Sequence, residues 1–126
     1  MVFDHIGIVN KSEEEALLFY RDILGLEKIK DSVSTADLSE QLFSISKDIK
    51  MIVFGKGSLK IEVFILPEFI HPSPNIPHLG LQIENLDQLL EKAKQSGVKV
   101  ITGRRGDKVV YFIQDFSGNL IEVKSI

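Results

Sequence analysis

The opening stretch, "VFDHIGIVN", alternates in character along its length, and the alternation predicts a strand over residues 2–9. Ile6 and Ile8 share one face with Val2 and Asp4; His5, Gly7 and Val9 share the other with Phe3. The period then changes. In "NKSEEEALLFYRDILG", Ser12 and Glu15 form a capping box, and Ala16, Phe19, Tyr20, Ile23 and Leu24 fall on one face of a helix that Gly25 stops. "LEKIKDSV" reads as a strand. "STADLSEQLFSISKD" has no clear period and reads as a long loop with room for a short helix or strand. "IKMIVFGKGSLKIEVFIL" reads as a hairpin around Gly55-Lys56-Gly57.

All four prolines of the chain lie in "PEFIHPSPNIP", which reads as a linker or pocket-edge loop over about 67–77. Beyond it the pattern restarts. "HLGLQIE" is a strand. "NLDQLLEKAKQSG" is a helix capped by Asn85, with Leu86, Leu89, Leu90 and Ala93 on one face and Gly97 as its stop. "VKVITGR" is a strand, and "DKVVYFIQDFSGNLIEVKSI" is a hairpin turning around Asp115 to Asn119. Both halves therefore run β-α-β-β-β. They also share words in the same order: "HIGI" at His5 answers "HLGL" at His78, and "IEV" at Ile61 answers "IEV" at Ile121. Two copies of so long a unit indicate two related modules, about 1–66 and 78–126, within one α+β domain.

Composition narrows the function classes. A length of 126 residues suits one domain. The net charge of −3 provides no field for nucleic acid or an anionic membrane. The absence of cysteine excludes disulfides, thiolate metal sites and thiol nucleophiles. No signal-peptide pattern and no membrane-length apolar run are visible, so a cytoplasmic setting is expected. Phosphate loops, nucleophile elbows and basic aromatic stripes are also missing.

The chemistry sits in the repeated words. His5, Glu62, His78 and Glu122 each occupy a polar position on an otherwise apolar strand. All four fall on the sheet face opposite the helices, where a curved sheet would let them converge. Two imidazoles and two carboxylates suit a borderline divalent metal such as zinc, nickel, cobalt, manganese or ferrous iron. Gly7 and Gly80, two residues after each histidine, leave that face open. His71, in the proline-rich loop, has no counterpart and reads as a loop residue.

With this module order, "FDHIGIVN", "FYRDILGLEKI", "SLKIEVF", "PHLGLQIENLDQLLEKAKQSGVKV" and "QDFSGNLIEVKSI" resemble the vicinal oxygen chelate superfamily of glyoxalases, bleomycin-resistance proteins and dioxygenases. The last word resembles the family's Asp-Pro-Asp-Gly-Asn turn, with Phe116 and Ser117 in place of Pro and Asp. The resemblance implies two βαβββ modules in a cupped mixed sheet with helices outside, and a homodimer. A His, Glu, His, Glu set looks like glyoxalase I. Methylmalonyl-CoA epimerases show Gln at the place of Glu62; ring-cleaving dioxygenases and fosfomycin-type thiol transferases use two His and one Glu; antibiotic-sequestering members lack ligands. The resemblance thus implies His5, Glu62, His78 and Glu122 as ligands of zinc or nickel, with cobalt and manganese as further choices. It implies proton abstraction beside the carbonyl of a small molecule or its thiol adduct, through a metal-stabilised enediolate, with Glu122 as first choice of base and Glu62 as second. The alternatives are an epimerase-like isomerase and a non-catalytic small-molecule binder. Bacterial glyoxalase I carries a basic residue four places after its first metal histidine; here that place is Val9. Arg104, Arg105 and Lys108 are the candidates to receive an anionic substrate tail.

Overall fold

The computed structural model describes all residues, 1–126. The chain forms two compact units, Met1–Phe69 and Ile70–Ile126. In the first unit, β1 (Ile6–Asn10) leads to α1 (Glu13–Ala16), which continues without a break as a π-helical segment, Leu17–Ile23. Then come β2 (Glu27–Ser34), α2 (Ala36–Phe43), β3 (Ile49–Lys56) and β4 (Leu59–Ile65). The second unit holds β5 (His78–Ile83), α3 (Leu86–Gln95), β6 (Lys99–Arg105), β7 (Lys108–Gln114) and β8 (Leu120–Ser125).

Each unit has one four-stranded mixed sheet, ordered β1-β4-β3-β2 in the first and β5-β8-β7-β6 in the second. In both, the first strand lies parallel to the last and the remaining pairs are antiparallel. The fold is α+β, as the sequence pattern predicts, and the internal repeat extends to strand order. It extends to register as well: Gly7 is paired with Glu62, and Gly80 with Glu122.

The helix signals act as read. Ser12 Oγ accepts from the Glu15 amide at 3.2 Å, and Asn85 Oδ1 accepts from the Gln88 amide at 3.2 Å. Gly25 and Gly97 both take positive φ just past their helices. Ala16, Phe19, Tyr20 and Ile23 pack on one side of the first sheet, where Tyr20 meets Phe54 with ring centroids 5.6 Å apart. Phe54, Ile61 and Val63 are fully buried there. Leu89, Leu90 and Ala93 of α3 are buried with Ile113, Ile121 and Val123 in the second unit. Because side chains alternate, these cores send Glu62 and Glu122 to the opposite faces.

Two local readings are corrected and a third is made definite. The first strand starts at Ile6, so His5 is the residue that enters it rather than a member of it. The first hairpin turns at Gly57-Ser58, since Gly55 and Lys56 are still paired with Lys60 and Leu59. The stretch read as a long loop with room for a short helix or strand holds a helix, α2. Thr35 caps it by accepting from the Leu38 amide, Asp48 accepts from the Ala36 amide at 2.7 Å, and Ser44 closes it in the left-handed region at φ 58°. Its one fully buried side chain is Ser39, hydrogen-bonded to Ser34. Leu38, Leu42 and Phe43 do not enter the core, which is why core-seeking periodicity fails to detect this helix.

Candidate metal centre

In the first unit, parallel pairing of β1 with β4 sets Gly7 beside Glu62, and His5 lies two residues before Gly7 on the same face. His5 Nε2 is 3.3 Å from Glu62 Oε1. The other ring nitrogen, Nδ1, is 2.7 Å from Asp4 Oδ2. Asp4 in turn receives Lys60 Nζ at 3.2 Å. The hydrogen bond from His5, and then that from Lys60, hold the Asp4 carboxyl below the usual carboxylate range. Such a depressed group keeps its contacts above that range and loses them only as pH falls through its lowered value. Asp4 therefore fixes the ring orientation of His5, as an outer partner of a metal-ligating histidine does.

The second unit repeats the arrangement with a different outer partner. His78 Nε2 is 3.5 Å from Glu122 Oε2, while His78 Nδ1 donates to the Ile76 carbonyl at 2.8 Å. The ring meets Phe112 edge to face, with centroids 4.9 Å apart. The other oxygen of Glu122, Oε1, is 3.4 Å from Lys124 Nζ.

These contacts determine what the pairs can hold. A backbone carbonyl only accepts, so the His78 Nδ1 carries the proton of that bond, and in the neutral ring Nε2 is left with a lone pair. That lone pair faces a carboxylate oxygen. A divalent cation is one species that would satisfy both acceptors. Ionised Asp4 imposes the same tautomer on His5. Both pairs thus present imidazole nitrogen and carboxylate oxygen together, the donor chemistry of zinc and its neighbours. Neither unit by itself assembles three or more His, Asp or Glu side chains placed for a metal. The glycine spacing also has its reason: a Cβ at Gly80 would meet nothing within 4 Å, and one at Gly7 would only touch Phe64 at 3.4 Å.

The β7–β8 turn positions Glu122. Asp115 is buried, and its Oδ1 accepts from the amides of Ser117 and Asn119, each at 2.9 Å, while Oδ2 accepts from Asn119 Nδ2 at 2.9 Å. Gly118 sits at φ 98°, and a Cβ there would be 3.0 Å from His71 Cβ. Asn75 Nδ2 donates to the Gly118 carbonyl at 2.6 Å. The proline-rich loop is thereby pinned to the turn, one residue group leading into His78 and the other into Glu122.

A cavity of about 420 Å³ opens beside the His5–Glu62 pair. Its remaining wall includes Val33, Leu42, Phe43, Met51 and Phe64. Arg105 and Lys108 stand at the tip of the β6–β7 hairpin, paired with one another, and Arg104 precedes them. Glu122 pairs across to Phe112 and on to Ile101, so Arg105 lies four residues further along and two strands over. That is roughly 13 Å along the strand and about 10 Å across. Alternation puts Arg105 and Lys108 on the Glu122 face and Arg104 on the other.

Sequence reasoning passed over Asp4, Phe112, Lys124 and the α2 residues. Asp4 was detectable as the neighbour of His5, and Lys124 as the residue two beyond Glu122 on the same face. Phe112 needed the cross-strand register.

A family model described as the Glyoxalase/Bleomycin resistance protein/Dioxygenase superfamily matches residues 2–123. The chain belongs to this superfamily. Among solved structures, this superfamily member is similar to a glyoxalase family protein from Enterococcus faecalis, with 19% identity, 97% of this chain and 95% of that one covered, and a TM-score of 0.73. The genomically encoded fosfomycin resistance protein FosX from Listeria monocytogenes has 23% identity, covers 99% and 91%, and gives 0.70; FosX is also known in complex with Mn(II) and sulfate. The trypanothione-dependent glyoxalase I of Leishmania major has 14% identity, covers 99% and 86%, and gives 0.73. At these identities the likeness is one of fold, which hosts several chemistries. No match was found among curated protein sequences. No helix in this superfamily member is long and apolar enough to cross a membrane.

Asp4→Asn is expected to weaken metal binding by about 10–100-fold, since the ring of His5 loses its orienting charge. Competition titration with a chromophoric chelator measures this. Unchanged affinity would remove Asp4 from the site.

Proposed function

We propose that the protein is a metal-dependent lyase or isomerase of the glyoxalase I type, acting on a carbon beside a carbonyl. The observation that carries this reading is the duplicated His–Glu pair in a repeated register, with a ring nitrogen facing a carboxylate in each. His5, Glu62, His78 and Glu122 would hold the metal; zinc or nickel suits the donors best, and cobalt or manganese also fits. When bound, the metal supplies Lewis-acid stabilisation of negative charge developing on substrate oxygens.

The chain's own residues do the rest. Glu122 takes the proton from the carbon beside the carbonyl and returns it to the neighbouring carbon or to the opposite face. Glu62 is the second choice for this base. Asp4 and the Ile76 carbonyl hold the two imidazoles in one tautomer. Kinship in fold with a glyoxalase I and with a Mn(II)-binding resistance protein supports the reading. The setting we propose is cytoplasmic and the assembly a homodimer. Arg105 and Lys108, on the Glu122 face, are the candidates to receive an anionic substrate tail, and Arg104 lies on the other face.

The apolar cavity beside His5 favours one second reading, a non-catalytic binder of the same fold. The deciding experiment purifies the protein in metal-free buffer, reconstitutes it with zinc or nickel, and assays methylglyoxal with glutathione and other thiols. A parallel assay uses 2-methylmalonyl-CoA. Stoichiometric metal that His5→Ala abolishes, with turnover on one carbonyl substrate, is the expected result. Metal-free protein that still binds small molecules would establish the second reading instead.

A further inference from the structure

The first unit has a helix with no counterpart in the second. The β-α-β-β-β order is common to both, but only the first unit inserts α2 between its second and third strands. An element added to a duplicated frame must be explained by what it covers. Ser39 is its buried anchor, and Phe43 meets Phe64 edge to face with centroids 5.5 Å apart. Its other apolar side chains, Leu38 and Leu42, are 46% and 62% exposed, although no core requires them. Together with Val33, which is 55% exposed, they wall the cavity of about 420 Å³ that contains His5 and Glu62.

The polar content of that cavity is small. Apart from the His5–Glu62 pair, only Ser32 and Ser34 contribute side-chain oxygens, and Ser34 Oγ is already 2.8 Å from Ser39 Oγ. No lysine or arginine lines it. A second cavity of about 220 Å³ shares Gly7, Phe43 and Phe64 with the first and is otherwise lined by Ile8, Val9, Ile45, Ile49 and Leu66. It has no charged side chain at all. The volume of the larger cavity lies in the range of small-molecule sites. Hydrocarbon walls favour a hydrocarbon body, and a charged group lying against them, away from the His5–Glu62 end, would lack a partner.

We infer that α2 is a specificity element, and that the first unit selects a neutral substrate with an oxygen-bearing end and an apolar body. The oxygens face His5 and Glu62, and the body lies against Leu38, Leu42, Phe43, Val33 and Met51. The inference rests on the proposed function in taking this pair as the polar end of the site. It departs from it in naming an uncharged, unconjugated compound as the occupant.

The test uses neutral straight-chain 2,3-diketones of four to seven carbons as probes, on the full chain, with and without zinc. Binding is followed through methyl NMR signals of Met51, Leu38 and Leu42, and zinc through the ring protons of His5 and His78. Affinity is expected to rise about fourfold per added methylene. Leu42→Asp, and separately Val33→Ser, should flatten that slope; both positions are exposed enough to leave the core intact. Glutathione should leave the Met51 methyl unmoved. A flat series in the native chain, or glutathione shifting Met51 at lower concentration than the diketones, overturns the inference. So does a sedimentation result in which Leu42→Asp dissociates a dimer while the series is flat, since a second copy would then be the occupant. Zinc binding with a flat series defeats this inference alone. A methylene slope without zinc binding upholds it and defeats the metal reading.

Discussion

Glu122→Gln is expected to lower turnover by about 10³-fold while the protein keeps most of its metal. A general base contributes roughly 10²–10⁴-fold to a proton transfer. Glutamine has the same shape and retains an oxygen donor, so it can remain beside the His78 ring and the metal, but it cannot accept the proton. Lys124 reaches one oxygen of Glu122 while the other faces His78, so the two oxygens already have distinct surroundings. Glu62→Gln should cost less, because Glu62 is the second choice of base. The measurement pairs metal content by mass spectrometry with initial rates on the best substrate, and with loss of solvent deuterium exchange at the substrate carbon. If Glu62→Gln shows the large loss and Glu122→Gln the small one, the base is Glu62. Full activity in both variants would end the proton-transfer proposal.

Asp115→Ala is expected to destabilise the protein by about 3 kcal/mol, because two amides and one side-chain amide lose a shared acceptor in a buried turn. Asp115→Asn keeps Oδ1 as an acceptor for Ser117 and Asn119 and should lose about 1 kcal/mol. Urea unfolding by circular dichroism reads both. The turn also fixes the β7–β8 register that places Glu122 opposite Phe112, so weaker metal binding should accompany the loss in Asp115→Ala. Equal stability of the alanine variant and the native chain would show that the turn is set by Gly118 and the Asn75 contact instead.

Different parts of the molecule were legible in the sequence for different physical reasons. The strands and the two long helices declared themselves because a buried face imposes a period, and Ser12 and Asn85 marked their starts. The His–Glu pairs were legible because the words around them occur twice. Helix α2 was legible only as one of two options, a short helix or a strand, because its apolar side chains line a cavity and its pattern lacks the width of a core-facing stripe. The start of β1 was read too early because Val2 and Phe3 are apolar yet exposed, and alternation alone does not say where pairing begins. Asp4 and the Ile76 carbonyl do equivalent work for the two histidines, but one is a side chain and the other a backbone group. Only the first could leave a trace in the residue pattern. Val9 is where a likeness to bacterial glyoxalase I would place a cation; it lines an apolar cavity instead, in keeping with a different class of substrate.

Parallel pairing of the first strand with the last has a kinetic consequence. His5 meets Glu62, and His78 meets Glu122, only when chain segments from opposite ends of a unit have come together. Contacts of such long sequence separation carry a large loop-closure cost. A cation that binds only the completed pairs is expected to join after the folding transition state. Its addition should leave the refolding rate nearly constant and act almost wholly by slowing unfolding. Time spent folded, rather than speed of folding, is what each of these centres would govern.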